Sequence, residues 1–305
     1  MIIESRLSVA GIALAATGIS FRATAQSHDR WPRKYGWLLT TGKRVGLGIA
    51  LVLMATCFAV AQTTSAPSAD DSLMLLYYQN PQPERLIGYL ERYQKSASAT
   101  PRPWGAYPPV VGFFAVVFRE HPEWIERLLP ARLDAMSAVA VDEILRLSGN
   151  SAVKQNLQAR LADAGSDPIL KSELSGLPAQ IMDIQIARPT HLDIFWGAFF
   201  ASGDERYVRK IIDFLARTAD RSEPIAVDVA LTTVAMSGGP TDIYNRLKEK
   251  YDQTLRTEVV FAATAGWALG ANARRHEKVA HAMTVYISEH PSAFATKVLT
   301  VLRPR

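Results

Sequence analysis

Two histidines near the C-terminus have almost the spacing of a zinc-binding helix. His276-Glu277 and His281 resemble the H-E-x-x-H motif of zinc peptidases, but one extra residue separates the two histidines. At about 100° per residue, two positions five apart lie about 140° apart around a helix. They cannot bind one metal ion together as the motif requires. We therefore expect a solvated helix surface here, and no metal or other cofactor.

A second short motif matches a nucleophile pattern by spacing alone. Ser151 and Lys154 fit S-x-x-K, but the chain lacks the K-T-G element that accompanies it in penicillin-binding enzymes. Helix capping explains Ser151 better. The chain also lacks a G-x-S-x-G elbow and the glycine patterns of nucleotide-binding loops, and its one cysteine is Cys57. Adjacent acids such as Asp204-Glu205 and Asp142-Glu143 point to different sides of a helix, which predicts capping or solvated roles.

The strongest candidate residues open the most aromatic helix of the chain. His191, Asp193 and Trp196 precede Phe199 and Phe200, and could line a pocket for a ligand or a partner side chain. A carboxylate and a histidine this close could also serve a hydrolase. In the structural interpretation, the residue before His191 caps the helix, Asp193 favours its positive N-terminal end and the aromatic residues fill the core.

A second candidate surface lies in a proline-rich stretch, residues 101–109. Trp104 and Tyr107 could form an exposed aromatic surface there, or a loop packed against the first helices. Together with His191, Asp193 and Trp196, they are the residues that we expect at a partner-binding surface.

The periodicity of apolar residues predicts helix throughout the second part of the chain. Strand-like alternation is never sustained, and about a dozen helices follow one another with short connections. Pro83 and Pro108-Pro109 suit helix starts, Gly149 suits a C-terminal cap and Asp204 suits an N-cap. One helix is predicted through Leu86, Leu90 and Tyr93, and the stretch 166–188 is predicted to hold a brief helix and an extended link. The fold class is all-α, with stacked antiparallel helix pairs.

An unbroken apolar run, residues 45–61, follows Lys43-Arg44 and ends in Ala59-Val60-Ala61 before Gln62. A basic flank, an apolar core and small residues at the end are typical of a secretory signal. Cleavage between Ala61 and Gln62 is favoured. A retained membrane anchor is the first alternative, since seventeen residues lie at the lower limit for a span. A lipoprotein at Cys57 is the second, although Met54 and Thr56 fit that motif badly.

The predicted organisation has four parts. Residues 1–42 form a leader extension, disordered or arising from a mis-assigned start codon, and residues 43–61 form the signal or anchor. Residues 62–70 are a polar linker, and residues 71–305 are one helical domain.

Charge separates the leader from the rest. Seven of the 34 Lys and Arg residues and two of the 29 acidic residues lie in the first 61 positions, so 27 of each remain after Ala61. The net charge of +5 is therefore a property of the leader. A neutral mature chain argues against nucleic acid as a partner, because binding to phosphate needs a basic face.

Two resemblances accompany this pattern. Residues 118–122, 200–204 and 286–291 share an aromatic helix end, a short turn and a new helix, and the first and third contain Glu-His-Pro. The pattern resembles tetratricopeptide-like proteins, as a degenerate helical repeat without a fixed period. Segments 77–84 and 191–204 resemble those of uncharacterised secreted or periplasmic helical proteins of proteobacteria, a likeness that implies export and helical folding.

Three functions follow as expectations. The leading one is a non-enzymatic periplasmic or secreted protein that offers a concave surface to a protein or peptide. Alternatives are an envelope hydrolase or accessory enzyme with a carboxylate and histidine site, and a helical domain anchored in the inner membrane within an envelope complex. In each case the membrane is contacted only through the N-terminal segment.

Overall fold

The computed structural model describes residues 69–98, 100, 102–239 and 241–304. Within these ranges the chain forms fifteen α-helices and four short 3-10 helices, and no strand. The predicted all-α class is confirmed. One cluster of buried apolar side chains extends from Leu73 to Leu302.

The helices follow one another with short connections. Those of the first part are α1 (Ala69–Leu75), α2 (Pro83–Leu86), α3 (Tyr89–Ala97), α4 (Tyr107–Glu120), α5 (Ile125–Leu128), α6 (Ala135–Leu147), α7 (Ser151–Ala164) and α8 (Pro168–Leu174). Those of the second part are α9 (Pro189–Ser202), α10 (Glu205–Ala219), α11 (Glu223–Met236), α12 (Ile243–Lys250), α13 (Gln253–Ala273), α14 (Glu277–Glu289) and α15 (Phe294–Leu302). The 3-10 helices are Tyr77–Gln79, Pro103–Ala106, Pro122–Trp124 and Ile181–Asp183.

Side-chain caps explain where many of these helices begin. An Asp or Ser oxygen accepts a hydrogen bond from a backbone N–H of the first turn, and so satisfies a group that has no partner inside the helix. The capping residues are Asp134, Asp167, Asp204, Ser222 and Asp252. The prediction for Asp204 is confirmed, as are the proline at the first position of α2 and the prolines in the first turn of α4.

Glycines in the left-handed region end or divide helices. Gly149 follows α6 with a φ of 78°, as predicted. Gly88 has a φ of 70° and divides the predicted helix through Leu86 and Tyr93 into α2 and α3. The periodicity continued across this glycine, but its left-handed backbone redirects the chain. The stretch 166–188 contains α8, one 3-10 helix and extended residues, in agreement with the prediction.

Helices α4 and α9 make the most extensive contact among the described elements. A Cβ built on Gly112 would lie 2.0 Å from the Ile194 carbonyl oxygen, and one built on Gly197 would lie 1.9 Å from that of Pro109. Each glycine therefore contacts the backbone of the other helix, and only a hydrogen fits at either position. This crossing brings together two helices separated in sequence by α5 to α8.

The second part packs around the longest helix, α13, which contacts α10, α11, α14 and α15. Thr233 Oγ1 on α11 donates to the Ala263 carbonyl of α13 over 3.2 Å, and also to Val229 of its own helix. Arg209 on α10 donates to Glu289 over 2.6 Å and lies over the Tyr286 ring of α14. Helix α9 joins the two parts, since it packs on α4 and on α10.

The two Glu-His-Pro junctions have the same backbone geometry. His121 ends α4 with φ −135° and ψ 67°, and His290 ends α14 with φ −128° and ψ 57°. Each ring stacks on a nearby aromatic ring, Trp124 or Tyr286. The third junction differs, because Gly203 ends α9 in the left-handed region.

Substitution at the α4–α9 crossing tests this packing. We expect Gly112→Ala or Gly197→Ala to lower the free energy of unfolding by about 3 kcal/mol or more, because the methyl group overlaps a backbone carbonyl that cannot move independently. Urea unfolding followed by circular dichroism measures the change.

Gly270→Ala is the matched control. A Cβ at Gly270 would meet nothing closer than 3.4 Å. Because alanine is favoured over glycine inside a helix, Gly270→Ala should raise the free energy of unfolding by about 0.5 to 1 kcal/mol. Equal effects at Gly112, Gly197 and Gly270 would contradict the close crossing.

Candidate functional site

Helix α9 carries three of the predicted binding residues and begins differently from the prediction. Pro189 takes the first helical position and Arg188 is the N-cap residue, without a side-chain cap bond. Thr190 therefore lies inside the helix, and its hydroxyl faces the Glu173 carboxylate at 3.4 Å. The expected cap at Thr190 is wrong because a proline before it already fits the start of a helix.

His191 is a buried residue that fastens the preceding segment to α9. Its Nδ1 lies 2.9 Å from the Gln185 carbonyl oxygen and 3.3 Å from the Ala187 backbone nitrogen. Burial lowers the pKa of His191, and the hydrogen bond to Gln185 opposes this only in part. The ring therefore positions the chain between α8 and α9.

Asp193 is a buried acid, with 8% of its surface exposed. No hydrogen bond or ion pair joins its carboxyl group to any residue in the described ranges. Burial raises the pKa of Asp193 well above its ordinary value, because the charged form loses its hydration. The structure joins His191 to Gln185 and Ala187 and not to Asp193, so the sequence pair His191 and Asp193 does not form an acid–histidine dyad.

Trp196 lies one turn after Asp193 and is 6% exposed. Its indole stacks on Phe200 with ring centroids 5.9 Å apart, and meets the edge of Phe199 at 6.0 Å. The indole Nε1 is buried and has no acceptor among the residues that the structure describes. An indole nitrogen can only donate, so this N–H is left unsatisfied.

His276 completes the aromatic group from the turn between α13 and α14. Its fully buried ring contacts Phe199 and Phe200 at centroid distances of 5.5 and 5.4 Å. We call Asp193, Trp196, Phe199, Phe200 and His276 the α9 cluster.

The hydrogen bonds of His276 determine which ring nitrogen carries its proton. Gln79 Nε2 and the Tyr78 hydroxyl both lie 3.2 Å from Nδ1. Because an amide N–H can only donate, Nδ1 accepts and the proton of the neutral ring lies on Nε2. That N–H is buried and unpaired within the described part of the chain. Burial, with a smaller effect of Arg275, lowers the pKa of His276 to about 4.

Tyr78 is enclosed by residues from three parts of the fold. Its ring contacts Phe199 at 5.1 Å, and Lys278 Nζ lies 5.3 Å from the ring centroid. A Cβ on Gly203 would lie 2.4 Å from the ring, so glycine is required there by space as well as by its φ of 65°. The N-terminal helices are therefore fastened to α9 and α14 through one tyrosine.

The other two predicted surface residues lie apart from the α9 cluster in sequence and contacts. Tyr107 is 2% exposed, and its hydroxyl lies 3.1 Å from Ser137 Oγ. Burial raises the pKa of Tyr107 to about 12. Trp104 is partly buried and packs against the core. These side chains line the interior of the helical body, as a packed loop would.

An ion pair between a buried acid on α11 and a half-exposed lysine on α12 was not anticipated. Asp228, 3% exposed, accepts hydrogen bonds from Lys250 Nζ over 2.5 Å and from the Tyr251 hydroxyl over 2.7 Å. Partial burial opposes the charge of Lys250, but the bond to Asp228 raises its pKa above the ordinary value. This acid is fully partnered, in contrast to Asp193.

The near-zinc motif does not form the solvated helix surface that we expected, and the prediction is wrong for His276. His276 precedes α14 and is buried, whereas His281 is exposed on α14 and lies 2.7 Å from Glu205. No group of three or more potential metal ligands occurs within the described residues. The adjacent acids also diverge, since Asp204 caps α10 while Glu205 pairs with His281. Of the two residues expected to cap α7, Asn150 is the N-cap residue, without a side-chain cap bond, and Ser151 is the first residue of the helix.

The predictions for the leader fall on residues that are not described. They concern residues 1–42, the run 43–61, the cleavage residues Ala59, Ala61 and Gln62, and most of the linker 62–70. Of the helices that are described, none combines the length and apolar character that crossing a membrane requires.

Comparison with known proteins gives no family assignment: no protein-family model, curated protein or solved structure matches the chain.

The sequence indicates four of the five residues of the α9 cluster, all but His276. The sequence singles out His276 only within the near-zinc motif, because its contact with Tyr78 joins residues 198 positions apart. The pairing of Asp228 with Lys250 carries a weak signal, since an acid in an apolar helix needs a partner. Nothing in the local sequence pattern indicates which lysine is the partner of Asp228.

The burial of His276 predicts a pH-dependent stability. In the unfolded chain the ring titrates near 6.5, whereas the folded protein keeps it neutral down to about pH 4. The unfolded state therefore binds more protons between these values, and stability falls as the pH drops from 6.5 to 4. The contribution of this one group is at most about 3 kcal/mol. Urea unfolding at a series of pH values measures it.

The comparison of variants isolates His276 from the carboxylates that titrate nearby. His276→Phe keeps an aromatic ring in the cluster and should flatten the slope between pH 6.5 and 4. Phe200→Leu alters the packing of the same cluster without removing a titrating group, and should leave the slope unchanged. A slope in His276→Phe equal to that of the wild type would contradict the buried neutral ring.

Proposed function

We propose that this chain is an exported, non-enzymatic helical protein that binds a protein or peptide in the cell envelope. The observation that carries the proposal is the buried, unsatisfied Trp196 indole N–H on α9, one turn after an acid that has no partner among the described residues. Asp193 and Trp196 find no hydrogen-bond partner in the described part of the chain. Because an unmade buried hydrogen bond costs about 1 to 3 kcal/mol, a partner from outside the chain is the simplest use of these groups.

The sequence supports the location. A basic pair, an apolar run and a small-residue end precede Gln62, and the chain after Ala61 has equal numbers of basic and acidic residues. We propose that the working molecule begins at Gln62 and acts in the periplasm or outside the cell. Its partner is proteinaceous, since a neutral chain lacks the charge excess that favours nucleic acid.

We further propose that the helices form a degenerate repeat of the tetratricopeptide-like kind. Support comes from the two Glu-His-Pro junctions, which end α4 and α14 with matching dihedral angles. The direct packing of α4 on α9 departs from a strict array, in which each repeat contacts only its neighbours.

N-terminal sequencing of protein purified from the envelope fraction tests export. We expect the mature chain to begin at Gln62, because the small residues Ala59 and Ala61 fit the positions that a signal peptidase reads. An intact leader in the membrane fraction would favour the anchored alternative. Full-length protein dissolved in the cytosol would contradict export.

Cross-linking in intact cells tests the binding function. We expect one protein or peptide to cross-link reproducibly to the purified chain, and not to an exported helical control protein carrying the same tag. A chain that stays free of specific cross-links under every growth condition tried would contradict a binding role.

A further inference from the structure

Two buried side chains on α9 offer complementary hydrogen-bonding groups. Asp193 presents a carboxyl group and Trp196 presents an indole N–H, and neither is satisfied by the residues that the structure describes. Both side chains are more than nine-tenths buried. Native proteins rarely leave such groups unpaired, and each exception calls for an explanation.

The helix places these two groups side by side. Positions three apart on an α-helix differ by about 60° around the axis and about 4.5 Å along it, so Asp193 and Trp196 occupy one face. The Trp196 ring is held there by its stacking on Phe200 and its edge contact with Phe199. Gly197, beside them, is locked against Pro109 on α4. A rigid element therefore fixes both groups, as a binding site requires.

The chemistry of the pair selects the ligand group. Indole Nε1 can only donate, so it needs an acceptor, while the carboxyl group can accept an N–H. An amide supplies both, through its carbonyl oxygen and its N–H.

The N-terminal helices cover part of α9. Helix α1 and the Tyr77–Gln79 turn pack against α9. Helix α1 has only seven residues and α2 only four. Short helices depend on tertiary packing for their stability, and such segments open locally at low cost. Local opening of α1 would therefore uncover part of α9.

We propose that Asp193 and Trp196 bind a peptide amide group, with Trp196 Nε1 donating to its carbonyl oxygen and Asp193 accepting from its N–H. This inference rests on the proposed peptide-binding function and names the site and the group that it recognises. A peptide bond is the amide that a protein or peptide partner presents in greatest number.

Titration of the full chain with N-methylacetamide, a single secondary amide, tests the proposal. The readout is the indole Nε1–H resonance of Trp196 in proton–nitrogen NMR spectra, assigned from Trp196→Phe. We expect a saturable downfield shift of this resonance alone. N,N-dimethylacetamide keeps the carbonyl group but lacks the N–H, and should bind about fivefold more weakly, as the loss of one hydrogen bond predicts.

Matched variants locate the binding. Asp193→Leu removes the acceptor, and should weaken N-methylacetamide binding and abolish its preference over the dimethyl compound, and Trp196→Phe should abolish the hydrogen bond to the carbonyl oxygen while keeping the stacked ring. Trp267→Phe, at a half-buried tryptophan of α13, is the control and should bind as the wild type does.

Stability distinguishes a binding role from a structural one. Asp193→Leu removes an unpaired acid and should raise Tm by roughly 2 to 4 °C while weakening N-methylacetamide binding to that of the dimethyl compound. Asp228→Leu breaks a satisfied buried pair and should lower Tm. A lower Tm in Asp193→Leu would overturn the proposal, since it would give Asp193 a structural partner.

The remaining outcomes separate this inference from the proposed function. A Trp196 resonance that N-methylacetamide does not shift, or that already has the downfield position of an indole bonded to internal water, would overturn the amide site. Binding of the cross-linked partner that is equal in wild type, Asp193→Leu and Trp196→Phe would also overturn it, while leaving the binding function intact. Failure to cross-link any partner would contradict the proposed binding function and would leave the result of the amide titration unaffected.

Discussion

Only a hydrogen fits at Gly112 and at Gly197, and this limit brings α4 and α9 into backbone contact. Each glycine meets a carbonyl oxygen of the other helix at a distance that no Cβ could tolerate. The contact joins elements separated by α5 to α8, so the intervening helices must fold back around it. Since α9 also packs on α10, the crossing links the N-terminal helices to the group around α13.

The crossing also explains the chemistry of α9. A helix locked over most of its length has little freedom to turn a polar side chain towards solvent. Asp193 and Trp196 are therefore buried among apolar groups, with a raised pKa for the acid and an unsatisfied indole N–H. The rings of Tyr78 and His276 pack against Phe199 in the C-terminal half of the same helix. One hydrogen bond joins Tyr78 to His276. Positional rigidity and unpaired polar groups occur together, as expected at binding sites that forgo some stability.

Local signals in the sequence were sufficient for the fold class and for several helix ends. Asp204 and Gly149 act as predicted because capping depends on a few neighbouring residues. The division at Gly88 was missed because periodicity does not report a left-handed backbone. The site was only partly predictable: helix α9 stood out by its aromatic residues, but the burial of His276 and the pairing of Asp228 depend on contacts between distant segments. Gly112 and Gly197 carried no signal, since a helical glycine looks the same whether or not a backbone approaches it.

Native-state hydrogen exchange measures most directly whether the α4–α9 crossing supports the rest of the fold. Backbone amides in the middle of α4 and α9 should exchange only through global unfolding, with one shared free energy that is the highest in the protein. Amides of α1 and α2 should exchange at a lower free energy, through local opening. The account would be contradicted if α4 or α9 exchanged through a smaller opening while the helices around α13 remained protected.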